Sequence, residues 1–362
     1  MLRYDKVLFV GTGGGNDVFS TTLAMLALRE IGFEWNSCAV AGVLSPFHRH
    51  EGLILTEDPN VAVVPESGSV RRIVPRLRDP IETGVVENAV AALAATERDL
   101  RVEAVYGLML HNGTAGLAES FRRLKAKYGQ IVLVDIGGDI FFRGRGRDPH
   151  VLSPMFDAMV LEAFCGANVP GVLFEAGPGT DGEIDRASLA ESLSASIVVR
   201  RPLSASVIDA WERLYRTHVE TIRPGRTVPK TIEAFRSDST TLTLDYRARC
   251  HLGTHRWYAA YPHEIDAAMN RSFYLVMPQW VRERNPFCIE CHDVMDWIRA
   301  TRPIETRTNG EYQFEYLERD GRLFLLALPS PLFSGEQRSE MMEAARQDLD
   351  NGNCHDLILD EA

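Results

Sequence analysis

The chain has 362 residues, 45% hydrophobic and 25% charged, which is ample apolar material for a full core and excludes a disordered or low-complexity protein. A formal charge of −11 gives no long-range attraction to nucleic acid, so no nucleic-acid partner is expected. Met1 to Val10 has no secretory signal pattern, no apolar run approaches the roughly 20 residues of a membrane span, and six cysteines in so long a chain do not form a disulfide framework; a cytoplasmic protein without a membrane partner is expected.

Lys6 to Val10 is a short apolar run that ends at Gly11 and reads as a buried first strand. Gly11-Thr-Gly-Gly-Gly-Asn-Asp17 follows as a loop, and Val18 to Ile31 has helical spacing. This is the strand, Gly-rich turn and helix that open a nucleotide-binding βαβ unit. The alternation continues with strands at Ser37 to Leu44 and Val61 to Pro65, and an Ala-rich helix at Glu82 to Leu100. Then come a strand at Ala104 to Leu110, a turn at Asn112-Gly-Thr114, a helix at Ala115 to Tyr128 and a very apolar strand at Gln130 to Val134. Ser153 to Cys165 reads as a helix with Ser153 at its cap and Pro154 in its first turn. Gly171 to Glu175 is a strand and Val207 to Thr217 a helix.

Such alternation predicts an α/β fold: a doubly wound, mainly parallel sheet over residues 1–223 that forms a ligand-binding domain. Pro224-Gly-Arg-Thr-Val-Pro229 marks a boundary, after which aromatic and histidine residues become dense. Residues 224–362 are expected to form a smaller α+β portion. It holds two antiparallel strands joined at Asp320-Gly321 and a last helix at Gln337 to Leu349.

Three Gly/acid segments each follow an apolar strand: Gly11 to Asp17, Asp135-Ile-Gly-Gly-Asp139, and Gly177-Pro-Gly-Thr-Asp-Gly-Glu183. In an open parallel sheet, ligands bind beyond the carboxyl ends of the strands, near a switch point. Glycine lets backbone approach a ligand, and a helix N-terminus attracts an anion. The first segment matches neither the dinucleotide fingerprint nor a Lys-bearing P-loop. Asp17, Asp135, Asp139, Asp181 and Glu183 bring carboxylates to one edge, where they can hold Mg²⁺, bind ribose hydroxyls or act as acid and base. Capping a helix or turn is the ordinary role of any one Asp, but not of all five at once.

The expected catalytic residues are Asp139, Asp181, Glu183 and His111, the last being equally a structural histidine. The expected ligand-binding residues are Gly13, Gly14, Gly15, Asn16, Asp17, Asn112, Asp135, Gly137, Gly138, Gly179 and Thr180, with Asp17 and Asp139 as the residues for Mg²⁺. The loop Ser45 to Glu51 reads as an exposed loop or as groups that close over the ligand, and the cluster Arg143-Gly-Arg145-Gly-Arg147 as a solvated loop or a phosphate clamp. Cys288-Ile-Glu-Cys291-His292 matches a haem attachment pattern, which is set aside for want of an export signal; two ordinary thiols are the default over zinc.

Those three segments, with Ser153-Pro154 and Asp157-Ala158, resemble the family called domain of unknown function 1152, over roughly the first 210 residues. The resemblance implies a Rossmann-like fold and carries no activity. Three functions follow from the residues. The first is an enzyme acting on a nucleotide, nucleoside or sugar phosphate, a transferase or hydrolase at a glycosidic or phosphoryl centre. The second is an NAD(P)-dependent or NAD-consuming enzyme, and the third a non-catalytic nucleotide-binding sensor. The partner in each case is a small phosphorylated or nucleotide-like ligand; a homo-oligomer is compatible with the fold type, though no interface signature marks one.

Overall fold

Both sides of the run Val7 to Val10 are apolar, so the strand that holds it can sit only at the middle of a sheet covered on both faces. The computed structural model shows it there. The described residues are 2–14, 16–44, 63–73, 86–143, 154–221, 227–252, 254–301 apart from 295 and 298, 314–319, 322–327, 334–351 and 358–361.

The chain runs through β1 (Leu2–Gly14), α1 (Asp17–Glu30), β2 (Phe33–Val43), β3 (Val63–Ser67), β4 (Val70–Ile73), α2 (Val86–Thr96), β5 (Val102–Leu108) and α3 (Gly113–Tyr128). It continues through β6 (Gln130–Ile136), α4 (Pro154–Gly166), β7 (Gly171–Ala176), α5 (Arg186–Ser196), β8 (Ile197–Pro202), α6 (Ala205–His218) and α7 (Thr227–Arg236). Then follow β9 (Thr241–Leu252), β10 (His255–Asp266), β11 (Ser272–Val276), α8 (Pro278–Arg282), β12 (Phe314–Arg319), β13 (Arg322–Ala327), a C-terminal helix (Gly335–Asp350) and β14 (Ile358–Glu361).

The central sheet has nine strands in the order β3-β4-β5-β2-β1-β6-β7-β11-β8. β5, β2, β1, β6 and β7 are parallel. From β1 the chain builds outward through β2 and β5, then returns to β1's other side for β6 and β7. The switch point is therefore the crevice between β1 and β6. Leu8, Val10, Ala39 and Leu133 pack with Leu117 and Phe121 of α3 and Met159 of α4, whereas Val7, Phe9, Val40 and Val132 pack with Phe19 and Leu23 of α1, Val90 of α2 and Trp211 of α6. Helices thus cover both faces of an α/β sheet. α1 is buried on nearly every side, and its Thr21 and Thr22 hydroxyls each bond a carbonyl three residues back at 2.7 Å, which lets polar residues lie in that interior.

Several elements differ from expectation. The strand expected at Val61 to Pro65 forms an antiparallel hairpin with β4, which then joins β5. β8 is an edge strand whose apolar run, Ile197 to Val199, is only partly covered and whose remaining residues are exposed. β11, from beyond residue 224, lies antiparallel between β7 and β8. β9 and β10 form a long hairpin in unbroken register, with β14 beside β9, and β12 pairs with β13 as expected. Ser153 lies outside the described residues, as do Asp320 and Gly321. Among the described residues no helix is long and apolar enough to cross a membrane.

Candidate functional site

β6 reaches its carboxyl end at Asp135, and its register partner on β7 is Glu175. Leu133 and Leu173, two residues earlier, face α3 and α4, so both acids project under the start of α4. Asp157 lies in the first turn of α4, and Asp17 in the first turn of α1 on the other face of the sheet. Oxygens of Asp17, Asp135 and Asp157 come within 4.8 Å of one another.

Glycine makes this approach possible. A side chain on Gly13 would strike Oδ2 of Asp17 and lie 3.0 and 3.2 Å from the Asp157 oxygens. Gly137, at φ +119°, leaves room for Asp181, whose Cβ and Oδ2 would lie 2.8 and 2.9 Å from an added methyl. The Gly137 carbonyl accepts the Gly179 N–H at 2.5 Å, which ties the second Gly/acid segment to the third.

Asp135 and Glu175 are fully buried and Asp157 is 2% exposed. Among the described residues no N–H or hydroxyl reaches either oxygen of Asp135 or Glu175. Burial, then Glu175, Asp139 and Asp157, push the Asp135 carboxyl well above its ordinary range. Burial likewise raises Asp157, with Asp139 and Asp17 adding to it and the Thr12 hydroxyl working the other way. Glu175 is raised by burial, with Asp181, Asp139 and Asp17 acting in the same sense. The groups acting most strongly on these three include no lysine, arginine or histidine among the described residues. Two carboxyls in contact cannot both ionise cheaply, so the Asp135–Glu175 pair retains a proton.

Asp139 opens a short 3₁₀ turn after Gly138 and is half-buried. Asp181 and Glu183 are each 4% exposed, and Asp181 Oδ1 accepts the Glu183 N–H at 2.9 Å. Thr180 Oγ1 donates to the Gly177 carbonyl at 2.7 Å and lies 2.7 Å from Thr231 Oγ1, so its hydroxyl is committed to the turn. Gly14 pairs with Val43 of β2. Gly15, the Ser45 to Glu51 loop and Arg145 and Arg147 lie outside the described residues. Arg143 pairs with Glu191 at 2.8 Å and sits over the Trp280 ring.

His111 and Asn112 follow β5, which β2 separates from β1, so strand order sets them apart from the acids at β6 and β7. The Asn112 amide donates to Ser69 Oγ at 3.3 Å. Nearby, the Thr114 hydroxyl accepts the Cys291 N–H at 2.8 Å and lies 3.3 Å from the Cys291 carbonyl. The Cys288–Cys291–His292 segment is thus pinned to the start of α3. Among the described residues it belongs to no cluster of metal-ligating groups.

Sequence reasoning missed Asp157 and Glu175 as site residues. Each had a signal: an acid inside the apolar helix Pro154–Gly166, and a Glu at the end of an otherwise apolar strand.

The model of the family described as protein of unknown function DUF1152 matches residues 62–220. That stretch of the chain is similar to the DUF1152 family. The DUF1152 match takes in β3 to α6, and with them Asp135, Asp139, Asp157, Glu175, Asp181 and Glu183; Asp17 and the first Gly-rich segment lie ahead of it. No curated protein and no solved structure matches the chain.

Proposed function

We propose that the chain is an enzyme acting on a nucleotide, nucleoside or sugar-phosphate substrate, by transfer or hydrolysis at a glycosidic or phosphoryl centre. The observation that carries this reading is the placing of Asp17, Asp135 and Asp157 around the β1–β6 switch point. The strand order β5-β2-β1-β6-β7 is compatible with a doubly wound α/β sheet, in which ligands bind in the crevice at the switch point.

The carboxylates divide into two kinds. Glu175, fully buried beside Asp135, has its carboxyl raised by burial first and then by its acidic neighbours, which favours the protonated form and suits a general acid for a leaving oxygen. Asp139 is half-buried and suits a base toward water or a substrate hydroxyl. Asp181 and Glu183, tied together by the turn, shape the floor.

The same charges argue against the NAD alternative. In dinucleotide folds the pyrophosphate sits at the N-terminus of the first helix, and here Asp17 occupies that turn. A bare phosphate about 5 Å from one carboxylate is disfavoured by about 3 kcal/mol at an effective dielectric of 20. The phosphate therefore enters with counter-charge.

The test is a scan of thermal stability against nucleotides, nucleosides, sugar phosphates and NAD(P), with and without Mg²⁺, followed by product analysis for any ligand that raises the midpoint. A rise with one phosphorylated class and turnover that Asp139→Asn abolishes is expected. A rise with NAD(P) alone would transfer the reading to the second function, and binding without product to a sensor.

A further inference from the structure

We infer that Asp17, Asp135 and Asp157 form a binding site for one hard divalent cation, with Glu175 behind Asp135 as its outer support. The inference names the counter-charge required by the function proposed above, but it rests on the site geometry alone.

Four observations converge on it. Three carboxylates from three separate elements (α1, β6 and α4) bring ligand oxygens within 4.8 Å of one another. Oxygens opposite each other across Mg²⁺ lie about 4.2 Å apart, and across Ca²⁺ about 5 Å, so the pocket fits such an ion with at most a small inward shift. Glu175 is fully buried, faces Asp135 in register, and finds no N–H or hydroxyl for either oxygen among the described residues. A buried acid pair whose carboxyls have only each other, with no basic group among the described residues acting strongly on them, points to a positive partner that arrives from outside. Lastly, the absence of a side chain on Gly13 keeps open the space that the Asp17 and Asp157 oxygens face. The donors are all oxygen, with neither imidazole nor thiolate in the cluster, which selects Mg²⁺, Mn²⁺ or Ca²⁺ over zinc or copper. Asp139, which the sequence paired with Asp17 for Mg²⁺, is close enough to act on all three buried acids but stands outside the converging triad.

The experiment uses the full chain, stripped of metal, and Mn²⁺ alone as probe. Free Mn²⁺ is counted by electron paramagnetic resonance, in competition with Mg²⁺, Ca²⁺ and Zn²⁺. Saturable binding of one Mn²⁺ per chain is expected, displaced by Mg²⁺ or Ca²⁺. Asp157→Asn should weaken it by about tenfold or more, and Glu343→Gln, on the exposed side of the C-terminal helix, should not change it. Asp157→Asn should also raise the metal-free melting temperature, since it removes a repelled charge; a merely structural Asp157 would lower it. Asp17→Asn, at a half-buried position, gives the same reading if Asp157→Asn does not fold. No saturable binding at millimolar Mn²⁺, or wild-type affinity in both variants, overturns the site. Because no phosphorylated ligand is present, that failure is distinct from failure of the proposed function, which would show as metal binding without any response to a phosphorylated ligand.

Discussion

Glu162 sits on α4, five residues beyond Asp157, and is 4% exposed. Arg282 of α8 grips it with two hydrogen bonds, Nε to Oε2 at 2.7 Å and Nη2 to Oε1 at 2.9 Å. The carboxylate holds the guanidinium charged, raising Arg282 above its ordinary value. Replacing Arg282 by Met keeps the aliphatic stem and leaves a buried carboxylate without its cation. Losing one partner of a buried pair costs 3–5 kcal/mol; since the Arg282 side chain is 36% exposed, the lower end, about 3 kcal/mol, is expected. The double substitution Glu162→Leu/Arg282→Met should recover to within about 1 kcal/mol of wild type, because an apolar pair of similar volume removes both desolvation costs. Urea unfolding at neutral pH, with all four proteins in one double-mutant cycle, measures both quantities. A loss under about 1 kcal/mol for Arg282→Met, with coupling near zero, would place the pair among surface ion pairs and refute the argument.

The Gly13→Ala methyl meets the Asp17 and Asp157 oxygens, so it should cost about 1–3 kcal/mol and weaken Mn²⁺ binding by about tenfold, read by urea unfolding and Mn²⁺ titration. Asp135, Asp157 and Glu175 have folded pKa values above their unfolded ones, so the folded state binds more protons above about pH 4 and stability contributed by these groups falls as pH rises from there. The slope is up to about 1.4 kcal/mol per pH unit for each proton retained; melting temperatures in metal-free buffer should show a shallower decline for Glu175→Gln, and an identical decline would count against the shared proton. Thr114→Val orphans the buried Cys291 N–H and should cost about 1–3 kcal/mol in urea while leaving Mn²⁺ binding unchanged.

The order strand, Gly-rich turn, helix at Lys6 to Ile31 was readable because glycine punctuation and apolar period agree there. The same agreement exposed β6 and β7, and Asp135 at the end of β6. Asp157 was hidden: a lone acid in a helix's first turn is the commonest dipole partner, and only the packing of α4 onto β1 turns it toward Asp135. Glu175 was hidden because alternation along a strand says which side a residue takes and nothing of its register partner. His111 went the other way. It ends a strand like the acids do, but strand order is a long-range property, and two strands intervene between it and β6. β8 and β11 each carry a short apolar run, Ile197 to Val199 and Phe273 to Val276, but their pairing with each other and with β7 is long-range and leaves no mark in the local pattern.

β11 fills the flank of β7, yet it is made only after α5, β8, α6, α7 and the β9–β10 hairpin have been threaded. During synthesis the outer edge of β7 waits with its backbone groups open, and β8 has no place in the sheet until β11 arrives. Long-range pairing of this kind is slow and exposes a sticky edge meanwhile. The nascent chain therefore has its glycine turns and most of its carboxylates in hand early, but the wall beside Glu175 closes late. A chain ending after α6 lacks the strand that pairs with the outer edge of β7, so the flank beside Glu175 depends on residues far along the chain.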